Sequence, residues 1–449
     1  MNIVLLTIDS LRADHLGCYG YGKATSPCID ALAAKSVVFD RAFSTGIPTM
    51  PSFTTLLTGL HPYRHGITAH SSEQRLGPDV EMLPQLAKQA GMVTIGIDNL
   101  VVQGSGRGSW FARGFDYYSG FLYKPFSNQS EQLTDRALTF IDDFRDRPFF
   151  LFMHLWDPHT PYGPPAPYDT MHYAPRPDTA ERLAAATSIA PEYYEAFLGD
   201  MNLKQPNDYD YVVAQYDGEI SYVDAQIGRI VDRLHAHGLW EDTVVVLMSD
   251  HGECFGEGGL HFDHHGLYDA VIRIALTWHA PGVAPGRTDV MASTSDILPT
   301  LCDLCDLPLP AQEPTGFSLA PALSGDQTPL RDHVAAVESS RQASICWRTD
   351  KWKLVLPITR DARGEPLSGI YGEERDPAPQ LFDLLNDPAE TTNVAEAHPA
   401  ICQALLLQLT EWRTAEVARR GGDDPLVENG LSLDYADFMA RLTSRKLRG

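Results

Sequence analysis

The sequence has few cysteines, few basic residues and no long apolar segment, and each shortage excludes a class of protein. Its 449 residues include only seven cysteines, scattered and odd in number, unlike a disulfide framework. No apolar run approaches the roughly 18 residues that indicate a membrane-spanning helix. The chain opens directly on a predicted strand, without a basic segment or cleavage site, so we expect a cytoplasmic protein.

Basic residues are outnumbered by acidic ones. The 35 Lys and Arg against 59 Asp and Glu give a formal net charge of -24. Such a surface repels polyanions, so we expect neither nucleic acid nor an acidic membrane as a partner. A small anionic substrate would need strong local positive charge, for which a bound metal ion is the obvious source.

Four buried strands alternate with helices along the first two thirds of the chain. Apolar runs predict strands at 3–8, 92–97, 149–156 and 243–249. Between the last two, apolar residues from Ile220 to Leu234 recur on one helical face. This order predicts an α/β fold with a largely parallel central sheet and helices on both faces.

The chain is predicted to have two parts. Residues 1–330 form the catalytic domain, in which 160–210, rich in Pro and Tyr, make a lid-like insertion. Residues 331–449 form a smaller C-terminal α+β subdomain with short antiparallel strands and a helix at 397–420. The last 25 residues are a candidate tail for packing on a neighbouring subunit, which makes a homo-oligomer a further expectation.

Polar residues follow each predicted strand and converge on one edge of the sheet. They are Asp9, Asp98-Asn99, Asp157-Pro158-His159 and Asp250-His251. Ligands bind beyond the carboxyl ends of the strands in such sheets. Two strand-end carboxylates and an imidazole, from Asp9, Asp250 and His251, predict a divalent metal site, although an Asp helix cap beside His251 is the alternative.

Thr49 lies just before a predicted helix start, where backbone N–H groups and the helix dipole stabilise anions. At a metal site its hydroxyl would become a nucleophile. Spacing alone favours a simple helix cap for Thr49 or Ser52.

Several other residues are candidates for the substrate. His159, His264 and His265 are candidate catalytic groups that bind ester oxygens or protonate the leaving group, whereas His154 is interpreted as an ordinary core histidine. Arg64 suits an anionic oxygen, with a solvated surface arginine as the alternative. Candidate contacts in the variable segments are Asn99, Trp110, Arg113 and Tyr162.

Five motifs, in order along nearly 400 residues, resemble the sulfatase family of the alkaline phosphatase superfamily. They are LLTIDSLRADHLGCYGY (5–21), TMPSFTTLLTGLHPYRHGI (49–67), HLWDPHTPYGPP (154–165), SDHGECFGEGGLHFDHHGLYDAVIRI (249–274) and LFDLLNDPAETTNVA (381–395). The resemblance implies an alkaline-phosphatase-like fold. It also implies that Asp9, Asp250 and His251 bind the metal together with Thr49. His159 would contact the substrate, and either His264 or His265 would face the anionic group.

The chain departs from the family pattern at the nucleophile. Sulfatases carry Cys-x-Pro-Ser-Arg, with Cys converted to formylglycine, whereas this chain has Thr49 and Phe53 at the ends of that motif. Formylglycine is therefore not expected. The paired carboxylates after the first strand are here Asp9-Ser10, which favours one Mn²⁺ ion, with Zn²⁺ or Ca²⁺ as alternatives.

These departures favour a metal-dependent hydrolase of phosphate-type esters, either phosphodiesters or phosphonate monoesters, that uses Thr49 as nucleophile. The alternatives are a sulfatase that works without formylglycine, a phosphoryl transferase, and a non-catalytic protein that keeps the fold. A second metal site at Asp157, His159 and His265 is the less favoured arrangement.

Overall fold

The computed structural model describes residues 1–70, 74–98, 110–120, 130–176, 179–201, 203–205 and 207–446. The strands are β1 (Asn2–Ile8), β2 (Val37–Phe39), β3 (Ala42–Phe43), β4 (Gly46–Ile47), β5 (Val93–Ile97), β6 (Tyr117–Ser119), β7 (Phe149–Leu155), β8 (Thr243–Ser249), β9 (Cys254–Phe255), β10 (His261–Asp263), β11 (Arg273–Ile274), β12 (Leu276–His279), β13 (Gly286–Thr288), β14 (Ala292–Ser293), β15 (His333–Glu338), β16 (Ser344–Thr349), β17 (Trp352–Pro357) and β18 (Gln380–Asp383). The helices are α1 (Pro27–Ala33), α2 (Thr49–Thr58), α3 (Pro62–His65), α4 (Leu83–Gln89), α5 (Ser130–Phe144), α6 (Tyr168–Met171), α7 (Thr179–Thr187), α8 (Pro191–Asp200), α9 (Tyr209–Ala236), α10 (Asp269–Ile272), α11 (Ile297–Cys305), α12 (Ala320–Leu323), α13 (Pro399–Arg420), α14 (Pro425–Asn429) and α15 (Tyr435–Lys446).

The central sheet has the strand order β13-β2-β12-β8-β1-β7-β5-β6. The five strands from β8 to β6 are mutually parallel, and β12 runs antiparallel to both of its neighbours. All four strands predicted from apolar runs lie side by side in the parallel part. The predicted α/β fold with a largely parallel sheet is therefore confirmed.

Helices cover both faces of this sheet because its central strands are apolar on both sides. In β1, Val4, Leu6 and Ile8 pack in the cluster that includes α5 and α9. The alternate residues Ile3 and Leu5 pack in the cluster that includes α2 and α4. A strand buried on both faces carries no polar side chain to solvent, so most of its polar residues lie where it ends, and a polar residue within it needs a buried partner.

A second sheet of order β18-β17-β16-β15-β4 forms the core of the C-terminal part. Its last four strands in the chain are antiparallel, and β4 adds a short parallel edge strand from the first fifty residues. Leu405 and Leu409 of α13 pack against this sheet. The antiparallel strands of this sheet begin at His333, close to the predicted division at 330/331. That division stays a prediction, because β4 belongs to the same sheet and comes from the first part of the chain.

The segment predicted as a lid-like insertion contains the three short helices α6, α7 and α8. The last described helix, α15, packs with α8: Leu442 lies in the same apolar cluster as Tyr193 and Phe197. The C-terminal segment thus contacts its own chain, and the predicted homo-oligomer stays a prediction. Neither α9 nor α13, the two described helices of 18 residues or more, is apolar enough to span a bilayer.

A buried ion cluster joins the second sheet to the start of α10. The ammonium of Lys353, on β17, has no solvent exposure and lies 2.6 Å from Asp269 Oδ1 and 2.7 Å from Glu390 Oε1. It also donates a hydrogen bond to the Leu267 carbonyl at 3.0 Å. Buried charges are tolerated only when they are paired. The ion pairs of Lys353 therefore hold the second sheet against the segment that follows β10.

Replacement of Lys353 by Met should strongly destabilise the protein, because it leaves the buried Glu390 carboxylate without its cation, while Asp269 keeps only the guanidinium of Arg348 at 2.9 Å. We expect the free energy of unfolding, measured by urea denaturation, to fall by about 3–5 kcal/mol. Lys351→Met is the matched control: this lysine is half exposed and lies 3.8 Å from Asp383. Its loss should be below about 1 kcal/mol. Equal losses in the two variants would contradict this role for Lys353.

Candidate active site

Two carboxylates meet at the carboxyl ends of neighbouring strands. β1 and β8 pair in parallel register, with Ile8 opposite Ser249, so Asp9 and Asp250 emerge side by side. Both side chains are fully buried. Asp250 Oδ1 accepts hydrogen bonds from the backbone N–H groups of Ser10 (3.1 Å) and His251 (2.8 Å).

Asp9, Asp250 and His251 bring their ligand atoms within 4.8 Å of one another, and no other described His, Cys, Asp and Glu side chains form such a group. His251 Nδ1 lies 3.0 Å from the Gly252 carbonyl, so the hydrogen belongs on Nδ1 and leaves the Nε2 lone pair for a metal. Asp250 Oδ2 is buried without a hydrogen-bond partner among the described residues. One imidazole nitrogen and two hard oxygens, one of them unsatisfied, fit a single divalent cation.

The electrostatics also favour a cation here. Burial, and then the charge of Asp9, raise the pKa of Asp250 to about 6. Burial acts in the same direction on Asp9, but His159 and the hydrogen bond from His154 outweigh it and lower the pKa of Asp9 below its usual range. Asp9 is therefore ionised, and Asp250 resists ionisation beside it. A bound cation would offset the repulsion between the two carboxylates.

Thr49 is the first residue of α2, and its hydroxyl points at the metal cluster. Its Oγ1 donates to Asp9 Oδ2 at 3.2 Å and lies 3.4 Å from His251 Nε2. No side chain caps this helix, so the cap interpretation of Thr49 does not hold. The Ser52 hydroxyl is not a cap either: it donates to the Asp250 carbonyl at 2.8 Å and ties α2 to the metal strand.

Ser10 stands where the resemblance implies a second carboxylate. It has a positive φ of 55°, and its hydroxyl donates to Asp9 Oδ1 at 2.9 Å. This residue orients a candidate ligand instead of adding one, which agrees with a site for one ion.

His154 is the site residue that the sequence interpretation missed. Its Nδ1 lies 2.7 Å from Asp98 Oδ1 and its Nε2 lies 3.2 Å from Asp9 Oδ2. Burial opposes protonation, but the hydrogen bonds with the two carboxylates raise the pKa of His154 to about 10. The useful signal was a polar residue inside an apolar, fully buried strand, since such a residue needs a polar partner.

The aromatic ring of Phe53 takes the place of the sulfatase arginine and packs on His154. The two ring centroids are 4.6 Å apart in an edge-to-face arrangement, and Phe53 also contacts Phe152. An apolar ring beside an imidazole leaves both nitrogens of His154 free to bind carboxylates. Asp98, the carboxylate on the other side of His154 from Asp9, also accepts a hydrogen bond at Oδ2 from the Tyr118 hydroxyl.

The three candidate catalytic histidines form a cluster beside the metal site, with His264 at its centre. The His264 ring lies 4.8 Å from the rings of His251, His159 and His265. Burial lowers the pKa of all three, for His265 to about 3. Burial therefore disfavours the protonated form of all three rings. The Nδ1 hydrogen of His159 is directed at the Thr160 carbonyl, whereas the Nδ1 atom of His264 has no hydrogen-bond partner among the described residues.

His264 and His265 differ in their surroundings. His264 stacks on His251, and its Nδ1 is buried without a hydrogen-bond partner among the described residues. The His265 backbone donates to Asp263 at 3.1 Å, and its ring Nδ1 lies 3.9 Å from Glu338 Oε2. His264 is thus the member of the pair next to the metal cluster.

The other predicted substrate contacts are not brought to this cluster. The guanidinium of Arg64 lies 3.8 Å from Glu416 of α13, and the guanidinium of Arg113 donates to the carbonyls of Gly77 and Pro78 at 3.1 Å. The buried Trp110 packs with Phe111 in the core. Tyr162 is fully buried and donates to Glu253, and Asn99 lies outside the described residues.

The alternative second metal site does not form either. Asp157 Oδ2 is already used, because it accepts hydrogen bonds from the backbone and hydroxyl of Ser130, at 3.2 and 2.5 Å. Asp157, His159 and His265 do not come together as a metal-binding group in the described part of the chain.

Comparison with known proteins agrees with the fold and identifies a family. The family model described as Sulfatase matches residues 1–307. The chain is 24% identical over 420 residues to a Δ4,5-hexuronate-2-O-sulfatase of Bacteroides thetaiotaomicron, which covers 88% of this chain and 84% of that protein. It is 28% identical to human arylsulfatase A, over 95% of this chain and 92% of that one. The crystal structure of a phosphonate monoester hydrolase of Agrobacterium radiobacter superposes with a TM-score of 0.73 at 23% identity, covering 92% of this chain and 96% of that one.

His154→Gln should weaken metal binding, because it removes the donor that fixes Asp9. We expect the Kd for Mn²⁺, measured by titration calorimetry on metal-stripped protein, to rise by about 10- to 100-fold. His279→Gln is the control, since this buried histidine on β12 packs on Trp240 instead. An unchanged Kd in His154→Gln would show that the histidine does not organise the site.

Proposed function

The chain belongs to the sulfatase family, and from this premise we propose that it hydrolyses phosphate-type esters with Thr49 as the nucleophile. The substrate class is phosphodiesters or phosphonate monoesters, which carry one negative charge. A single divalent ion suits such monoanions, because dianionic monoesters usually need a second metal or several cations.

The position of the Thr49 hydroxyl carries this proposal. It lies within 3.4 Å of both Asp9 and His251, two of the three residues that fit a metal. A threonine that merely capped α2 would direct its oxygen at the backbone of its own helix. Here the oxygen is aimed at the one place in the described structure where a cation fits.

The identity of residue 49 favours phosphorus over sulfur. Without a cysteine at this position no aldehyde hydrate forms, so a covalent ester on Thr49 is released only by attack of water on the central atom. We expect release by water for a phosphoryl or phosphonyl group. The hydroxyl of Thr49 and then water each attack phosphorus, so that one difficult displacement becomes two easier ones.

The protein's own residues have separate tasks in this reaction. A divalent ion, when bound, would lower the pKa of the Thr49 hydroxyl and offset charge on the ester oxygens. Ser10, His251 and Ser52 hold the two carboxylates and α2 in place, so the Thr49 oxygen needs little movement to reach phosphorus. Bond formation to Thr49 breaks the bond between phosphorus and the leaving oxygen.

His264, supported by His159, is the proposed donor to the leaving oxygen. It stacks on His251 and carries an N–H group next to the site. As the bond to phosphorus breaks, negative charge develops on the leaving oxygen, and the N–H of the neutral imidazole stabilises that charge by donating a hydrogen bond. The proton that Thr49 loses on attack passes through solvent to the departing oxygen. Water then attacks the Thr49 ester and regenerates the hydroxyl.

The proposed ion is Mn²⁺. A ligand set of one imidazole nitrogen and carboxylate oxygens suits a first-row transition metal better than it suits Ca²⁺, because Ca²⁺ prefers oxygen ligands alone. Zn²⁺ remains compatible with the same three side chains.

Sulfate esters are the second candidate, because the relatives named above include sulfatases of sugars and aryl groups. A panel of aryl and sugar sulfates, assayed beside a nitrophenyl phosphodiester with added Mn²⁺, separates the two. We expect phosphate or phosphonate ester turnover to exceed sulfate release at least tenfold. The reverse order would assign the protein to sulfate esters.

Thr49→Ala should lower kcat for a nitrophenyl phosphonate or phosphodiester by at least about a thousandfold, because it removes the attacking oxygen. Thr49→Ser keeps a hydroxyl and should retain measurable turnover. Thr54→Ala is the matched control on the same helix, where the Thr54 hydroxyl donates only to the Met50 carbonyl. Activity that survives Thr49→Ala intact would exclude Thr49 as nucleophile.

A further inference from the structure

A half-enclosed cavity of about 190 Å³ opens beside the histidine cluster. His159, His264 and His265 line one side of it. Because His264 stacks directly on His251, this cavity begins one side chain away from the metal cluster. The proposed reaction uses the histidines but assigns no role to the space behind them.

The other walls are mainly apolar and come from distant parts of the chain. Phe197 and Met201 belong to α8 and the residue after it, Phe438 and Leu442 belong to α15, and Trp156 follows β7. Phe197, Met201 and Leu442 are buried members of one apolar cluster, against which Phe438 packs. The lid-like insertion and the C-terminal helix therefore close the same space.

A compensated ion pair holds this apolar wall in place. Arg341 donates to Asp263 Oδ2 at 2.6 Å, to the Tyr193 hydroxyl at 2.9 Å and to the Ile370 carbonyl at 2.7 Å. Its guanidinium also lies 4.0 Å from the Phe438 ring centroid, a cation–π contact that fastens α15. Since Asp263 neutralises Arg341, this pair adds no net charge to the cavity.

Apart from the Arg341–Asp263 pair, the polar groups that line the cavity lie on the histidine side and at the opening. His264 and His265 are both more than nine-tenths buried, and the Nδ1 atom of each has no hydrogen-bond partner among the described residues. The half-buried His70 and the exposed Arg441 also line the cavity. Unsatisfied buried polar atoms beside an apolar wall indicate a ligand with a polar end and an apolar body.

The size of the cavity limits that ligand. A volume of about 190 Å³ is close to the roughly 150 Å³ of an engineered cavity that holds benzene, and below the roughly 300–1,000 Å³ of pockets for drug-sized ligands. A sugar ring would leave hydroxyl groups unpaired against Phe197, Met201 and Leu442. A single aromatic ring would satisfy the apolar wall and direct its oxygen at the histidines.

We propose that this cavity binds the leaving group of the ester, and that the leaving group is a compact, uncharged, single-ring alcohol such as a phenol. This inference rests on the proposed function for the identity of the reacting atom. The anionic part of the substrate would lie at Thr49, and the ring would lie between His264 and α15.

The substitution Leu442→Trp should fill the cavity from the side of α15. The variant is assayed with two esters of methylphosphonate, one with phenol and one with trifluoroethanol as the leaving group. We expect kcat/KM for the phenyl ester to fall at least tenfold and that for the trifluoroethyl ester to change less than twofold. Thr443→Trp, the same substitution at the adjacent exposed residue, should change neither. Met201→Trp, from the opposite wall, should repeat the selective loss and replaces Leu442→Trp if that variant fails to fold.

Binding of the free alcohols gives a readout independent of turnover. In NMR titrations of the full chain with Mg²⁺ as a diamagnetic ion, phenol should bind at least tenfold more tightly than glycerol, and Leu442→Trp should abolish the difference. Phenol binding without hydrolysis of any phosphonate ester would support the cavity and overturn the proposed function. Hydrolysis of both esters with equal losses in Leu442→Trp, or equal binding of phenol and glycerol, would overturn the cavity assignment.

Discussion

The parallel pairing of β1 with β8 is the constraint on which the rest of the site depends. In-register parallel neighbours end at the same level, so Asp9 and Asp250 are forced together inside the protein. Two buried carboxylates repel each other, and the hydrogen bonds from Ser10 and His251 offset only part of that cost. A divalent cation completes the arrangement. The positions of His251, of Thr49 at the start of α2 and of Ser52 all follow from this pair.

The site replaces the formylglycine apparatus of sulfatases with a different set of contacts. Thr49 supplies a hydroxyl where those enzymes carry the modified cysteine, and Phe53 supplies an apolar ring where they carry arginine. The ring packs on His154, whose imidazole bridges Asp9 and Asp98. Positive charge is thereby retained next to Asp9, but it comes from β7 and is held by carboxylates that follow the neighbouring strands β1 and β5. The fold is that of a sulfatase, while the chemistry at residue 49 favours phosphate-type esters.

The sequence sufficed for the sheet and for the convergence of Asp9, Asp250 and His251 at its edge, because buried parallel strands have a strong apolar signal and their polar ends must converge. It was insufficient where a side chain finds its partner far along the chain. Arg64 pairs with Glu416 and Arg341 with Asp263, and no local pattern reveals such pairs. His154 was missed because a histidine in an apolar strand looks like core until Asp98 is seen beside it. The packing of α15 on α8 of the lid-like insertion could not be predicted either, since the sequence of a short amphipathic helix does not indicate which surface it covers.

The central claim is that Thr49 forms a covalent bond to phosphorus during turnover. The most direct measurement is acid quenching of the Mn²⁺-loaded enzyme during hydrolysis of an aryl methylphosphonate, followed by peptide mass spectrometry. The account predicts a methylphosphonyl group on Thr49, which appears before product accumulates and decays with the turnover rate. A label on Ser52 or on any other side chain, or turnover at full rate with no label on Thr49 at any time, would contradict it.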